Sequence, residues 1–172
     1  MNEPAFDPET AHRFFATGMN NQAWDLLESP ARSSEQDELM RTTAYAAARH
    51  WSEVGQAINQ QRAECLLAQV HAALGEVSGA VCHARRALEL MTEAGDSIEA
   101  FDLVFTHDAA SRAYLPAEEL PRAASHRAQV ESRLGRRSPT QRTARWSRLG
   151  SVGTKRPESA LDGRDDGTGL AM

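Results

Sequence analysis

The chain is 172 residues long, with 41% hydrophobic residues, only 6% aromatic residues and a formal net charge of -5. That length suits one domain, and an apolar fraction dominated by alanine and leucine excludes a sheet of β-branched and aromatic side chains in favour of closely packed helices. No stretch approaches the ~20 consecutive apolar residues that span a bilayer. Residues 1–134 hold 20 acidic and 11 basic side chains, the wrong balance for wrapping a nucleic acid backbone, whereas residues 135–172 hold 4 and 8.

The first helical pattern runs from Pro8 to Leu27, with Ala11, Phe14, Phe15, Ala23, Trp24 and Leu27 at helical spacing and Gly18 inside it. Ser29-Pro30 to Ser34 reads as a loop. Ser34, with Asp37 and Glu38 in the first turn, opens the next helix, which continues through Leu39, Met40, Thr43, Ala44, Ala47, Ala48 and Trp51 to Val54. Trp24 and Trp51 stand on apolar faces and read as core residues.

The clearest periodicity lies between Ala63 and Gly95, where small or apolar residues recur in two consecutive helical runs separated after Leu74. Gly75 is placed to end the first run in a left-handed conformation, and Glu76 favours the start of the second. Ser97 to Leu115 forms a further helical pattern, Pro116 and Pro121 bound a connector, and Leu120 to Leu134 reads as a closing helix with Ala123, Ala124, Arg127 and Val130 inward. From Gly135 the pattern stops. The Arg-, Gly- and Ser-rich composition of 135–172 cannot bury enough surface to offset chain entropy and is expected to be disordered. Arg142, Arg145, Trp146 and Arg148 within it interleave cations with an aromatic, which a basic disordered segment explains without a nucleic acid partner.

Six histidines (His12, His50, His71, His83, His107 and His126) form no HExxH or paired His/Cys spacing. His71 reads as a hydrogen-bonded core histidine, and His83 with Arg85 and Arg86 as a solvated basic patch. Glu64, Asp102 and Asp108 are expected to pair with Arg49, Arg62 or Arg112. No nucleophile elbow, catalytic-cysteine context or phosphate-binding loop is present. Cys65 and Cys82 fall in helical stretches, and Met1 to Phe15 carries charges and no signal-length apolar run. Reduced thiols and a cytoplasmic location are therefore expected.

Leu67, Ala68, His71, Leu74-Gly75, Ala80, Ala84 and Ala87-Leu88 resemble the packing pattern of a tetratricopeptide repeat, a 34-residue helix-turn-helix unit. Glu64 and Thr92 depart from it. With Arg49-His50-Trp51 ahead of this unit, the chain is similar to small bacterial proteins of that type. The resemblance implies an all-α fold, a right-handed stack of about three antiparallel helical hairpins over residues 1–134.

It also implies a concave groove lined by the first helix of each hairpin. Arg62, Cys65, Gln69, Ala72 and Ala73 would line it from the central unit, and Val104, His107, Ser111 and Tyr114 from the next. The partner-binding set is then Arg62, Gln69, His107, Ser111 and Tyr114, acting by complementarity without catalysis or a cofactor. A protein or peptide is the expected partner; a membrane is excluded, nucleic acid is left to the tail, and a homodimer remains open. A metal-dependent helical-bundle enzyme and a structural oligomerisation module are the alternatives.

Overall fold

The computed structural model describes residues 7–134, which form six α-helices and no strand. They are α1 (Pro8–Glu28), α2 (Ser34–Val54), α3 (Ala57–Ala73), α4 (Val77–Ala94), α5 (Ala100–Tyr114) and α6 (Leu120–Leu134), with one 3-10 turn at Gly95–Ser97. The disorder expected for 135–172 lies outside the described residues.

Local chemistry sets the helix ends. The Asp7 carboxylate accepts the Glu9 and Thr10 amides, and Pro8 occupies the first turn, where no amide is needed. Ser33 and Gln36 form a reciprocal capping box at α2. α3 starts at Ala57, six residues before the expected Ala63, because Gln56 and Asn59 cap it reciprocally. Its first two turns are polar in sequence yet include the buried Gln61.

α3 closes with two reversed bonds: the Glu76 amide donates to the His71 carbonyl at 2.9 Å and the Gly75 amide to the Ala72 carbonyl at 3.2 Å. Gly75 has φ +73°, as this Schellman closure requires. The turn after α5 repeats the pattern. Glu119 donates to Tyr114 at 3.1 Å and Glu118 to Leu115 at 3.2 Å. Here the left-handed position, at φ +60°, is filled by Glu118, which bears a Cβ.

Consecutive helices pair as α1/α2, α3/α4 and α5/α6; α2 also packs on α3, α4 on α5, and α3 directly on α5. α3 is the shared wall. Its Leu66, Leu67 and Val70 join Ala23, Met40 and Ala44 in one apolar cluster, while Cys65 and Ala68 join Ala80, Ala84, Ala87, Ala109, Ala110 and Ala113 in the other. A helix buried on two sides shows no single apolar stripe. The alanine-rich second cluster lets α4 approach closely, and at Gly79 an added Cβ would stand 2.5 Å from Nδ1 of His71.

Candidate functional site

The polar groups of α3 and α5 meet along one seam. The Arg62 guanidinium grips the Asp102 carboxylate with two bonds, Nε to Oδ1 at 2.8 Å and Nη2 to Oδ2 at 3.0 Å, and lies 4.8 Å from the centre of the Phe101 ring. Asp102 is 1% exposed while the Arg62 side chain remains 40% exposed. Hydrogen bonding to Asp102 holds the Arg62 pKa above its ordinary value. Arg62 thus neutralises a buried carboxylate, with its rim open to solvent.

Deeper in the seam, Gln61 donates from Nε2 to Oγ1 of Thr106 at 2.6 Å, and Thr106 donates to the Asp102 carbonyl at 2.7 Å. Burial pushes the Cys65 thiol up to about 12, so it stays protonated and unreactive; Gln69 hydrogen-bonds it from a half-buried position.

Two of the α5 residues expected in the groove, His107 and Tyr114, meet α6. His107 faces α6, its Nδ1 3.0 Å from Nδ1 of His126 and its ring stacked on that ring at 5.1 Å. Tyr114 is 3% exposed and stacks on His126 at 5.6 Å, and Val104 is buried. Ser111, half-buried, stands one turn from both His107 and Tyr114 on the same side of α5. Cys65 is likewise buried. Val104, Tyr114 and Cys65 pack the interior, and His107 and Ser111 are half-buried.

Toward α3 and α1, α5 presents Phe101 and Asp102 to Arg62, Thr106 to Gln61 and Phe105 to Trp24. Trp24 of α1 meets Phe105 edge-on at 5.2 Å and so bridges α1 to α5 across α3. Asp108 and Arg112 pair at 2.7 Å further along α5. The anticipated pairing of Arg62 with Asp102 and of Arg112 with Asp108 is present, whereas Glu64 engages His83 and Arg49 engages Glu53.

A second polar assembly ties α2, α3 and α4. Tyr45 Oη lies 2.8 Å from Nε2 of His71 and 3.0 Å from Nε2 of His83, and those two rings stack at 5.0 Å. Nδ1 of His71 meets Glu76 at 2.5 Å and Nδ1 of His83 meets Glu64 at 2.7 Å. Arg41 joins from α2, 2.6 Å from Glu76. His71 is a buried, hydrogen-bonded core histidine, as expected, and burial lowers its pKa. His83 belongs to this network and not to a solvated patch; Arg85 and Arg86 alone are exposed.

His12 and His50 complete the set, Nδ1 to Nδ1 at 3.0 Å between α1 and α2, with Phe15 stacked on His50 at 5.5 Å. Each helix pair therefore carries one histidine pair across it. The sequence held a usable signal: His12 and His50 stand equally far from the turn between α1 and α2, as do His107 and His126, almost, from the turn between α5 and α6. Paired strands of a hairpin bring such positions together.

Among the described residues, no three His, Cys, Asp or Glu side chains converge as a metal site, and no helix is long and apolar enough to cross a membrane. A shallow hollow of about 980 Å³ lies between α4 and the 115–119 turn, lined by Val77, Val81, Cys82, Arg85, Ala117 and Glu119 among others. No protein-family model, characterised protein or solved structure matches the chain.

Proposed function

We propose that the chain is a non-catalytic, tetratricopeptide-like scaffold whose three hairpins stack right-handedly and whose first helices α1, α3 and α5 receive a peptide or protein segment. The observation that carries this reading is the direct packing of α3 on α5 and, through Trp24 and Phe105, of α1 on α5. Arg62, Gln69, Phe101, Phe105, Asp108 and Arg112 are partly or fully accessible side chains of α3 and α5. With aromatic and paired charged groups, these helices suit an extended segment carrying an apolar anchor flanked by polar residues. Recognition is by shape and hydrogen bonding, and the Trp24–Phe105 contact must open to admit a bulky anchor.

Selection of a displayed random-peptide library on the full chain tests the reading. Enriched peptides that bind the wild type and lose at least tenfold affinity for Asp108→Arg or Gln69→Arg, with helix content unchanged, support it. Peptides that bind both variants as tightly as the wild type, or a selection that enriches none, count against it.

An oligomerisation role draws on Phe14, 73% exposed, and Phe15 on the outer side of α1. Light scattering of the wild type and Phe14→Asp at two concentrations tests it; a concentration-independent monomer mass for both rejects it.

A further inference from the structure

α6 is attached more thinly than any other helix. It packs chiefly on α5, and the side chains it fully buries within 120–133 are Ala123 and Val130. Two small apolar groups leave its polar tie to α5 unusually influential. That tie is the His107–His126 pair.

Two imidazoles whose Nδ1 atoms lie 3.0 Å apart share one hydrogen bond: one ring donates its N–H and the other accepts with a lone pair. When both rings are charged, both nitrogens carry hydrogen, no acceptor remains, and two cations face each other. The surroundings decide how readily that happens. α6 contributes Arg122, Arg127 and Arg133, while the nearby acids are either engaged by cations or turned to solvent. Asp108 of α5 holds Arg112; Glu119 of the turn holds Arg122 and the α4 residue Arg85; Glu131 holds Arg127; on α3, Glu64 binds His83, and Asp102 of α5 binds Arg62. Glu118 of the turn and Glu89 and Glu93 of α4 are exposed to solvent. Among the described residues, no carboxylate hydrogen-bonds either ring of the pair.

The central pair is set up differently. Its four contacts, Glu76 to His71, His71 to Tyr45, Tyr45 to His83 and His83 to Glu64, need four protons, and two neutral imidazoles with one phenol supply three. Each ring of that pair meets a carboxylate. The pair on α6 has none.

We infer that the His107–His126 pair is a proton-sensitive latch, which holds α6 on α5 while the rings are neutral and releases it when both are charged. Burial, helped by His126 and Arg133, pushes His107 down to about 4, and burial with Arg122 lowers His126. A released α6 returns both rings to ordinary imidazole behaviour near 6.5. Release therefore takes up protons: the latch is fully closed above pH 6.5 and weakens as pH falls from 6.5 toward 4. Opening uncovers Tyr114, which stacks on His126.

Residue-resolved amide hydrogen exchange on the full chain at pH 7.5 and pH 5.0 tests this, read as protection factors so that intrinsic exchange rates cancel. The expected result is a loss of protection in α6 of about tenfold or more at pH 5.0, with α3 changing severalfold less. In His107→Phe/His126→Leu, which keeps the apolar packing and cannot titrate, the pH-dependent part of that loss should vanish. Equal protection of wild-type α6 at the two pH values overturns the latch, as does a pH-dependent loss of the same size in the double variant. Imidazole titration by NMR in the wild type provides a readout independent of the variant: His107 should titrate well below 6.5, and a midpoint at or above 6.5 for both rings overturns the latch too.

Discussion

The central and C-terminal hairpins use the same parts and hold them with different strength. Both close through the same pair of reversed bonds, but the left-handed residue is Gly75 in one and Glu118 in the other. Both carry a histidine pair, flanked by Glu64 and Glu76 in one and by Arg122 and Arg133 in the other. α3 is buried on two sides, whereas α6 rests on one neighbour. One architecture thus yields a rigid centre and a loosely held end, through single residues at equivalent places.

The contrast can be broken from the centre outward. Arg62→Ala leaves the buried Asp102 carboxylate without its cation, holding only the Glu99 amide, and should cost about 3 kcal/mol in urea unfolding, with Arg62→Lys recovering only part because an ammonium cannot hold both oxygens. A loss under about 1 kcal/mol for Arg62→Ala would mean that the α3–α5 seam does not need its bidentate pair. Ala84→Leu inserts a branched side chain where α4 meets its neighbours and should cost about 1 to 3 kcal/mol. A neutral result would contradict the close helix approach.

The pH response of the latch comes next. Counting His107 alone and allowing for its partial exposure, stability should fall by on the order of 1 kcal/mol between pH 7 and pH 5, with the sign set by its depressed pKa. Thermal melts at the two pH values measure it, and a melt unchanged on acidification contradicts the assignment. The turns give the smallest and most symmetrical effect. Gly75→Ala should destabilise by about 1 kcal/mol and Glu118→Gly should stabilise by up to about 1 kcal/mol, since each alters the cost of a left-handed residue at the same place in the same motif. Shifts of equal sign would mean that the two turns are not equivalent.

How far these features could be read from sequence follows from their chemistry. Ser34–Val54 and Leu120–Leu134 were legible to the residue, and Pro8–Glu28 within one, because capping groups, prolines and apolar spacing agree there. The start of α3 was not, since Asn59, Gln60 and Gln61 look like a loop until Thr106 is found to accept the buried Gln61 amide N–H. Within the binding set, Arg62 and Gln69 fall on the accessible side of α3, but His107 and Tyr114 turn toward α6. The α5 segment buries Asp102 and Thr106 along with its alanines, so hydrophobic periodicity could not fix its rotation. The histidine pairs were hidden for a related reason: motif spacing looks along one helix, and each pair joins two.

Native-state hydrogen exchange across the whole chain at pH 7.5 in increasing urea probes the rigid centre and loose end most directly. The α3 amides should exchange only through global unfolding, and the α6 amides through a separate opening lower in free energy and with a smaller urea dependence. An α6 that exchanges together with α3, at the same free energy and the same urea dependence, would contradict the account.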